Sequence, residues 1–250
     1  MTHKLSTSFG FHQVTPAERR RRVRAVFDDV ARRYDLMNDL MSFGIHRLWK
    51  RSLAAMAAAL PGGLAVDLAG GTGDVARLLM REDKWRVLVC DASPAMMETG
   101  RDGAAQGPQP GWVAAEGEKM PLADDAADLV TIAFGLRNMS DPEAALSQCR
   151  RILKPGGRFI CLEFSRPHAL LRPFYDLYSF QVIPRLGAWI AGNPDAYQYL
   201  IESIRRFPKQ EDLAGMLREA GFEEVAYRNL FFGVACLHWG TAPARNRDSA

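Results

Sequence analysis

LAVDLAGGTGD, residues 64–74, decides the fold. An apolar run of strand length ends in a glycine-rich turn, and an amphipathic helix is expected from Asp74. A turn built on Gly70, Gly71 and Gly73 lets the backbone approach a ligand closely. Strand, glycine turn and helix in that order open a parallel α/β sheet, with a ligand site at the carboxyl end of the strand.

Working outward, short apolar runs alternate with amphipathic stretches. RVLVCD (86–91), WVAAE (112–116), DLVTIAF (128–134) and GRFICLEF (157–164) read as strands, with helices expected after Pro94 and over Glu143–Leu153. Alternation of this kind implies parallel strands joined by right-handed helical crossovers. Upstream, a helix from Ile45 to Ala59 stops at Pro61-Gly62-Gly63, and an earlier one starts at Pro16 with Thr15 as its cap. Val23, Val26, Phe27, Val30, Ala31 and Tyr34 form one apolar stripe along that earlier helix. Arg19, Arg20, Arg21, Arg22 and Arg24 lie mostly off the stripe, and a solvated face is favoured over a membrane or headgroup contact. The polar, turn-rich start up to Thr15 reads as a mobile arm. Downstream, residues 168–193 are rich in aromatics and broken by Pro173 and Pro184, which suggests a helical lid. Helices near 195–206 and 209–220 follow, then EEVAYRNLF (223–231) and GVACLHWG (233–240) as final strands. The expected organisation is an arm with cap helices over 1–60, an α/β domain over 61–243 with a lid insertion over 168–206, and a tail from 244.

A chain of 250 residues suits one such domain, and a net charge of +3 makes no whole-protein case for nucleic acid. Cys90, Cys149, Cys161 and Cys236 are widely spaced, and the histidines lack ligand spacing, so no disulfide framework or metal site is expected. Without a secretion signal or a long apolar span, the expected compartment is the cytoplasm.

The glycine turn leaves two ligands open. Gly71-x-Gly73-x-x-Ala76, with Asp91 ending the next strand to meet a ribose, also satisfies a relaxed nicotinamide-dinucleotide fingerprint. Acidic residues break the tie. Asp67 ends the first strand, where a pyrophosphate would be repelled and the cationic methionine end of S-adenosylmethionine welcomed. The Glu116-Gly117-Glu118-Lys119-Met120-Pro121-Leu122 segment before Asp128 looks like the adenine-contacting loop of class I methyltransferases, and Leu153-Lys154-Pro155-Gly156-Gly157-Arg158 like their turn into the fifth strand. S-adenosylmethionine is therefore the expected cofactor, at Asp67, Gly70, Gly71, Gly73, Asp91, Glu116 and Gly117.

The segments YDLMNDLMSFGIHRLWK (34–50), DLAGGTGD (67–74), TIAFGLRN (131–138), LKPGGRFICLEFS (153–165), YQYLIESIRRFPKQEDL (197–213) and GVACLHWG (233–240) span almost the whole chain. Through them it resembles the ubiquinone/menaquinone biosynthesis C-methyltransferases. The resemblance implies a Rossmann-like, mostly parallel seven-stranded sheet with helices on both faces and a C-terminal antiparallel hairpin. It also implies methylation of demethylmenaquinol or a 2-methoxy-6-polyprenyl-benzoquinol, with cofactor contacts at positions matching Thr72, Asp91, Glu116 and Gly117. Three positions depart from the family's pattern: Ala133 replaces a frequent serine, Glu116 an asparagine or aspartate, and Ala127 an aromatic residue.

Ring methylation needs an ionised ring hydroxyl, hence a proton acceptor and a group to hold the oxyanion. Arg137 and Asn138, ending the fourth strand, are expected to face the transferred methyl. Arg137 can instead form a structural salt bridge. Tyr34, Asp35, Asn38 and Asp39 lie on the segment expected to cover the site. His46 is the base favoured by its ordinary pKa, ahead of His238, and a water held by Tyr34, Arg137 and Asn138 is the alternative relay. Phe174, Tyr175, Tyr178, Phe180 and Trp189 in the lid suit either core packing or a polyprenyl groove. A polyprenylated quinol would bring the enzyme to a membrane surface, as a homodimer or within a quinone-synthesis complex. The competing functions are an O- or N-methyltransferase of another small aromatic, and a nicotinamide-dependent oxidoreductase.

Overall fold

The computed structural model describes residues 7–31, 38, 39, 42, 44–103, 108–168 and 194–244. Tyr34, Asp35, the Leu170–Ile190 segment and the tail from 245 lie outside the described residues. The elements are β1 (Ser8–Phe9), β2 (His12–Gln13), α1 (Pro16–Val30), α2 (Ile45–Ala58), β3 (Gly63–Leu68), α3 (Asp74–Leu79), β4 (Trp85–Asp91) and α4 (Pro94–Asp102), then β5 (Gly111–Ala114), β6 (Ala127–Ala133), α5 (Pro142–Ile152), β7 (Leu153–Phe164), α6 (Pro194–Arg206), α7 (Gln210–Glu219), β8 (Glu223–Leu230) and β9 (Ala235–Thr241).

Three helices begin with the same device, an oxygen-bearing cap followed by proline. Thr15 before Pro16, Ser93 before Pro94 and Asp141 before Pro142 each accept a hydrogen bond from the first turn. Each cap satisfies an amide that the helix leaves without an acceptor, while proline occupies a position needing none.

The seven-stranded sheet runs β5-β4-β3-β6-β7-β9-β8. β5, β4, β3, β6 and β7 are parallel, and β9 and β8 close the sheet as an antiparallel pair. The order reverses at β3, which lies between β4 and β6, so the carboxyl ends of these strands open a crevice. Two apolar layers flank the sheet. Val66, Val130, Phe159 and Leu146 pack on one face; Ala65, Leu129, Leu162 and the α2 residues Trp49 and Leu53 pack on the other.

Two expectations are corrected. Residues 7–15 are no free arm: β1 and β2 form a hairpin bolted to α6. Glu202 accepts from the Phe11 amide at 2.7 Å, Arg206 donates to the Gly10 carbonyl at 2.7 Å, and Phe9 stacks on Tyr199 with ring centroids 4.4 Å apart. The polar backbone of this segment finds its partners far along the chain, where local sequence carries no trace of them. The arginines of α1 are likewise not all solvated, because Arg19 is only 2% exposed.

Candidate functional site

A cleft of about 840 Å³, its open mouth included, lies over the carboxyl ends of β3, β4 and β6. Its floor carries Leu68, Ala69 and Gly71 from the end of β3 and its turn, with Asp91 at the end of β4 and Ala92 and Ser93 just beyond it. Glu116, Gly117 and Glu118 form one side, and Ala133 to Gly135 with Asn138 to Ser140 form another. Helix α1 roofs it with Arg20, Val23, Arg24 and Phe27. Two non-glycine residues at its wall hold left-handed backbone, Ala69 at φ 52° and Phe134 at φ 59°. Conformations of this kind cost free energy and collect at ligand sites.

Asp91 organises the floor. One carboxylate oxygen accepts from the Gly71 amide and the other from the Ser93 amide, each at 2.8 Å. Burial pushes its pKa up and these backbone donors pull it back. The carboxylate keeps accepting capacity for a ribose hydroxyl. Ser93 in turn donates to Asp28, which ties the end of α1 to the floor. Glu116 stands partly exposed, 3.9 Å from both Arg20 and Arg24. Glu118 accepts from the amides of Ser140 and Asp141 at 2.7 and 3.0 Å, locking the turn after β6.

Two wall glycines stand against methionine ends, with little room for a β-carbon. Gly71 holds φ 55°, and a β-carbon there would meet Met96 Cε at 2.9 Å. At Gly117 a β-carbon would sit 3.0 Å from Met139 Cε. A side chain at either point would have to displace the end of a wall methionine.

The wall brings together Gly71, Asp91, Glu116, Gly117, Ala133 and Asn138 of the residues expected from the sequence. It does not include Asp67, Gly70, Thr72, Gly73, Arg137 or His46. Asp67 is the clearest correction. Side chains alternate along a strand, so while Leu68 faces the cleft Asp67 points behind it. There it is 1% exposed, accepting from the Thr131 hydroxyl at 2.7 Å and the Ala76 amide at 3.2 Å. Burial lifts its pKa to about 7. Asp67 thus braces the glycine turn from underneath. Arg137 is also drawn away, into an ion pair with Glu163 at 2.7 Å, with both side chains almost fully buried. Glu163 ends the neighbouring strand β7, so the pair joins two strand ends.

Asn138 does reach the cleft, held at both ends of its amide. Nδ2 donates to the Phe134 carbonyl at 3.2 Å, and Oδ1 accepts from the Tyr199 hydroxyl at 3.1 Å. His46 lies on α2, buried, against Ser42. Burial, helped by nearby Lys50, pulls its pKa down to about 4. His238 is buried in β9 with its pKa also near 4. The residues that sequence reasoning missed are Arg19, Ser93, Glu163 and Tyr199. Only Tyr199 and Glu163 lay within the quoted segments, and nothing in their spacing marked them as partners of the site.

A model of the ubiE/COQ5 methyltransferase family matches residues 15–242. The chain belongs to this family. Two relatives, from Rubrivivax gelatinosus and Acidiphilium cryptum, bear the name ubiquinone/menaquinone biosynthesis C-methyltransferase UbiE. The first is 56% identical, covering 96% of this chain and 94% of its own. The second is 49% identical, covering 96% and 98%. Among solved structures, a SAM-dependent methyltransferase from Thermotoga maritima superposes with TM-score 0.62 at 24% identity, over 87% of this chain and 99% of its own. That likeness establishes the fold: class I methyltransferase, with the cleft at the sheet's switch point. The ubiE/COQ5 family member is therefore a methyltransferase, and S-adenosylmethionine is its cofactor. The cleft fits that ligand. It offers an apolar wall with the soft sulfurs of Met96 and Met139, acidic groups for ribose hydroxyls and a cationic sulfonium, and glycine backbone open to close approach at Gly71 and Gly117.

Proposed function

We propose that this enzyme methylates a ring carbon of a quinol precursor in ubiquinone or menaquinone biosynthesis, with demethylmenaquinol and 2-methoxy-6-polyprenyl-1,4-benzoquinol as candidate acceptors. The observation that carries the reading is near-full-length identity of about half with relatives named for that reaction, combined with Asn138 fixed at the cleft wall.

S-adenosylmethionine supplies an electrophilic methyl on a cationic sulfonium. The chain's task is to hold the acceptor ring in line and to favour its ionised hydroxyl. A phenol-like pKa of about 10 leaves roughly 0.1% ionised at pH 7, which costs about 4 kcal/mol unless the site helps. Asn138 gives one Nδ2 hydrogen to Phe134 and keeps the second for a ring oxygen. Arg137 lends positive charge from behind the same turn, although its pairing with Glu163 moderates that field. His46 is a poor proton acceptor, since a pKa of about 4 makes a weak base and the cleft wall does not include it. The proton of the ring hydroxyl is instead assigned to a water held at Asn138, which passes it to solvent; Tyr34, another member of the relay read from the sequence, lies outside the described residues. On the cofactor side, Asp91 would orient the ribose, Glu116 and Gly117 would face the adenosine, and the turn at Gly71, braced by Asp67, would receive the methionine end. A polyprenyl tail would keep the working enzyme at a membrane surface without crossing it; among the described residues no helix is long and apolar enough to span one.

The test is transfer of labelled methyl from S-adenosylmethionine to chemically reduced demethylmenaquinol and benzoquinol analogues, with the oxidised quinones as controls. Label in ring carbon with the reduced acceptors alone is the expected result. Label on oxygen or nitrogen, or none despite cofactor binding, would overturn the assignment.

A further inference from the structure

Arg19 occupies a place where stability alone favours an apolar side chain. Its guanidinium is buried, and among the described residues none of its hydrogen-bond partners is a carboxylate. Burying a charge without an ionic partner is costly. Here it is met entirely by carbonyl oxygens. Nε donates to Ser8 at 2.7 Å; Nη2 donates to Arg137 at 2.9 Å; Nη1 donates to Asn138 at 3.0 Å and to Met139. Three successive carbonyls of one turn are thus gathered by one planar fork. That turn carries the side chain we assign to the ring oxygen.

The second hold comes from the opposite end of the chain. Tyr199 on α6 is buried, lies flat on Phe9, and sends its hydroxyl to Asn138 Oδ1 at 3.1 Å. Arg19 therefore fixes the backbone of the turn, while Tyr199 fixes which way the Asn138 amide points. An amide whose oxygen is taken by a hydroxyl must present nitrogen elsewhere, and the Phe134 carbonyl uses only one of its two hydrogens. We propose that Arg19 and Tyr199 are positioning residues for methyl transfer, clamping the Arg137–Met139 turn and aiming the Asn138 Nδ2 hydrogen into the cleft. The proposal rests on the reading that Asn138 meets the acceptor.

Tyr199→Phe is the first test, because it keeps the ring on Phe9 and deletes the hydroxyl alone. At saturating quinol and cofactor, kcat should fall about tenfold while the KM for S-adenosylmethionine stays within about twofold. In an Asn138→Ala background the same change should cost nothing more, because the group it aims is gone. Arg19→Ala should lose at least about tenfold in kcat and regain much of it with millimolar guanidinium, but not with potassium chloride at equal ionic strength. Wild-type turnover in folded Tyr199→Phe, or an undiminished effect on the Asn138→Ala background, overturns the clamp. A folded Arg19→Ala that guanidinium leaves unchanged overturns the part assigned to Arg19, and if that variant fails to fold the Tyr199 arms still decide. Wild-type protein unable to methylate any reduced quinol would sink the functional reading itself, a different result from any of these.

Discussion

The ion pair of Arg137 and Glu163 joins structure and chemistry at single residues. Glu163 accepts from the Arg137 guanidinium at 2.7 Å and from the Phe164 amide at 2.9 Å, while Arg137 also lies 5.2 Å from the centre of the Phe164 ring. Removing one partner of a buried pair leaves a charge with no compensation, and about 3–5 kcal/mol is the usual loss. Glu163→Leu should therefore lower unfolding free energy by that amount in urea titrations. Adding Arg137→Met to it should restore most of the loss, since two apolar groups of similar volume can replace such a pair. The restored protein should still transfer no methyl above about one-hundredth of the wild-type rate, if Arg137 lends its charge to the ring oxygen. A stable and active double variant would reduce the pair to a strut. Asp67 makes the converse point. Its place at the end of the first strand reads as a ligand contact, yet the alternation of strand side chains puts Leu68, not Asp67, on the cleft.

Elements show where sequence reading succeeds and where it stops. The cap-proline pair at Thr15 and Pro16, the helix start at Pro94, the apolar strand runs and the glycine turn are all local signals, and the helices and sheet they mark are present. The site is less legible because its remaining parts come from distant segments. Arg19 meets Arg137 across 118 positions, and Ser93 meets Asp28 across 65. No periodicity encodes such pairings. The loop between β5 and β6 is an intermediate case: Gly117 was recognisable as part of an adenine-type loop, but the reason for glycine is the Met139 thioether 3.1 Å from where a β-carbon would stand. Gly117→Ala should push that flexible side chain toward the cofactor cleft. The expected result is a Kd for S-adenosylmethionine raised about tenfold, equivalent to about 1.4 kcal/mol, with kcat at saturation little changed. Calorimetric titration checks this, and unaltered affinity would show that Met139 swings away from the cleft.

For the molecule as a whole, pH acts through groups that the catalytic reading does not use. His46 and His238 both have pKa values near 4, against about 6.5 for an exposed imidazole, chiefly because burial penalises their charged forms. Ser42 Oγ donates to the Asn38 carbonyl at 2.7 Å, so its contact with His46 Nδ1 is an accepted hydrogen and Nε2 carries the lone pair. His238 donates Nε2–H to the Gln210 carbonyl at 2.9 Å. Both rings are thus built in as neutral groups. As pH falls below 6.5 the unfolded chain takes up protons that the native rings refuse, so their share of stability declines until about pH 4 and then levels off. Asp67 acts in the opposite sense. Its native pKa of about 7 lies above the ordinary carboxylate value, so between those limits the folded state holds a proton that the unfolded chain releases. Acidification through that window therefore favours the fold at Asp67 and disfavours it at the histidines. A difference measurement separates these opposing contributions. Between pH 7 and 5, the wild-type protein should lose on the order of 4 kcal/mol, about 2 for each imidazole, relative to His46→Gln/His238→Gln, measured from urea midpoints at each pH. Parallel curves would mean that the buried imidazoles acquire protons in the native state, which would require the packing around α2 and β9 to open to water below neutrality. If His46 is also no part of the proton relay, the His46→Gln change should leave the acid limb of the kcat–pH profile where it stands in the wild type.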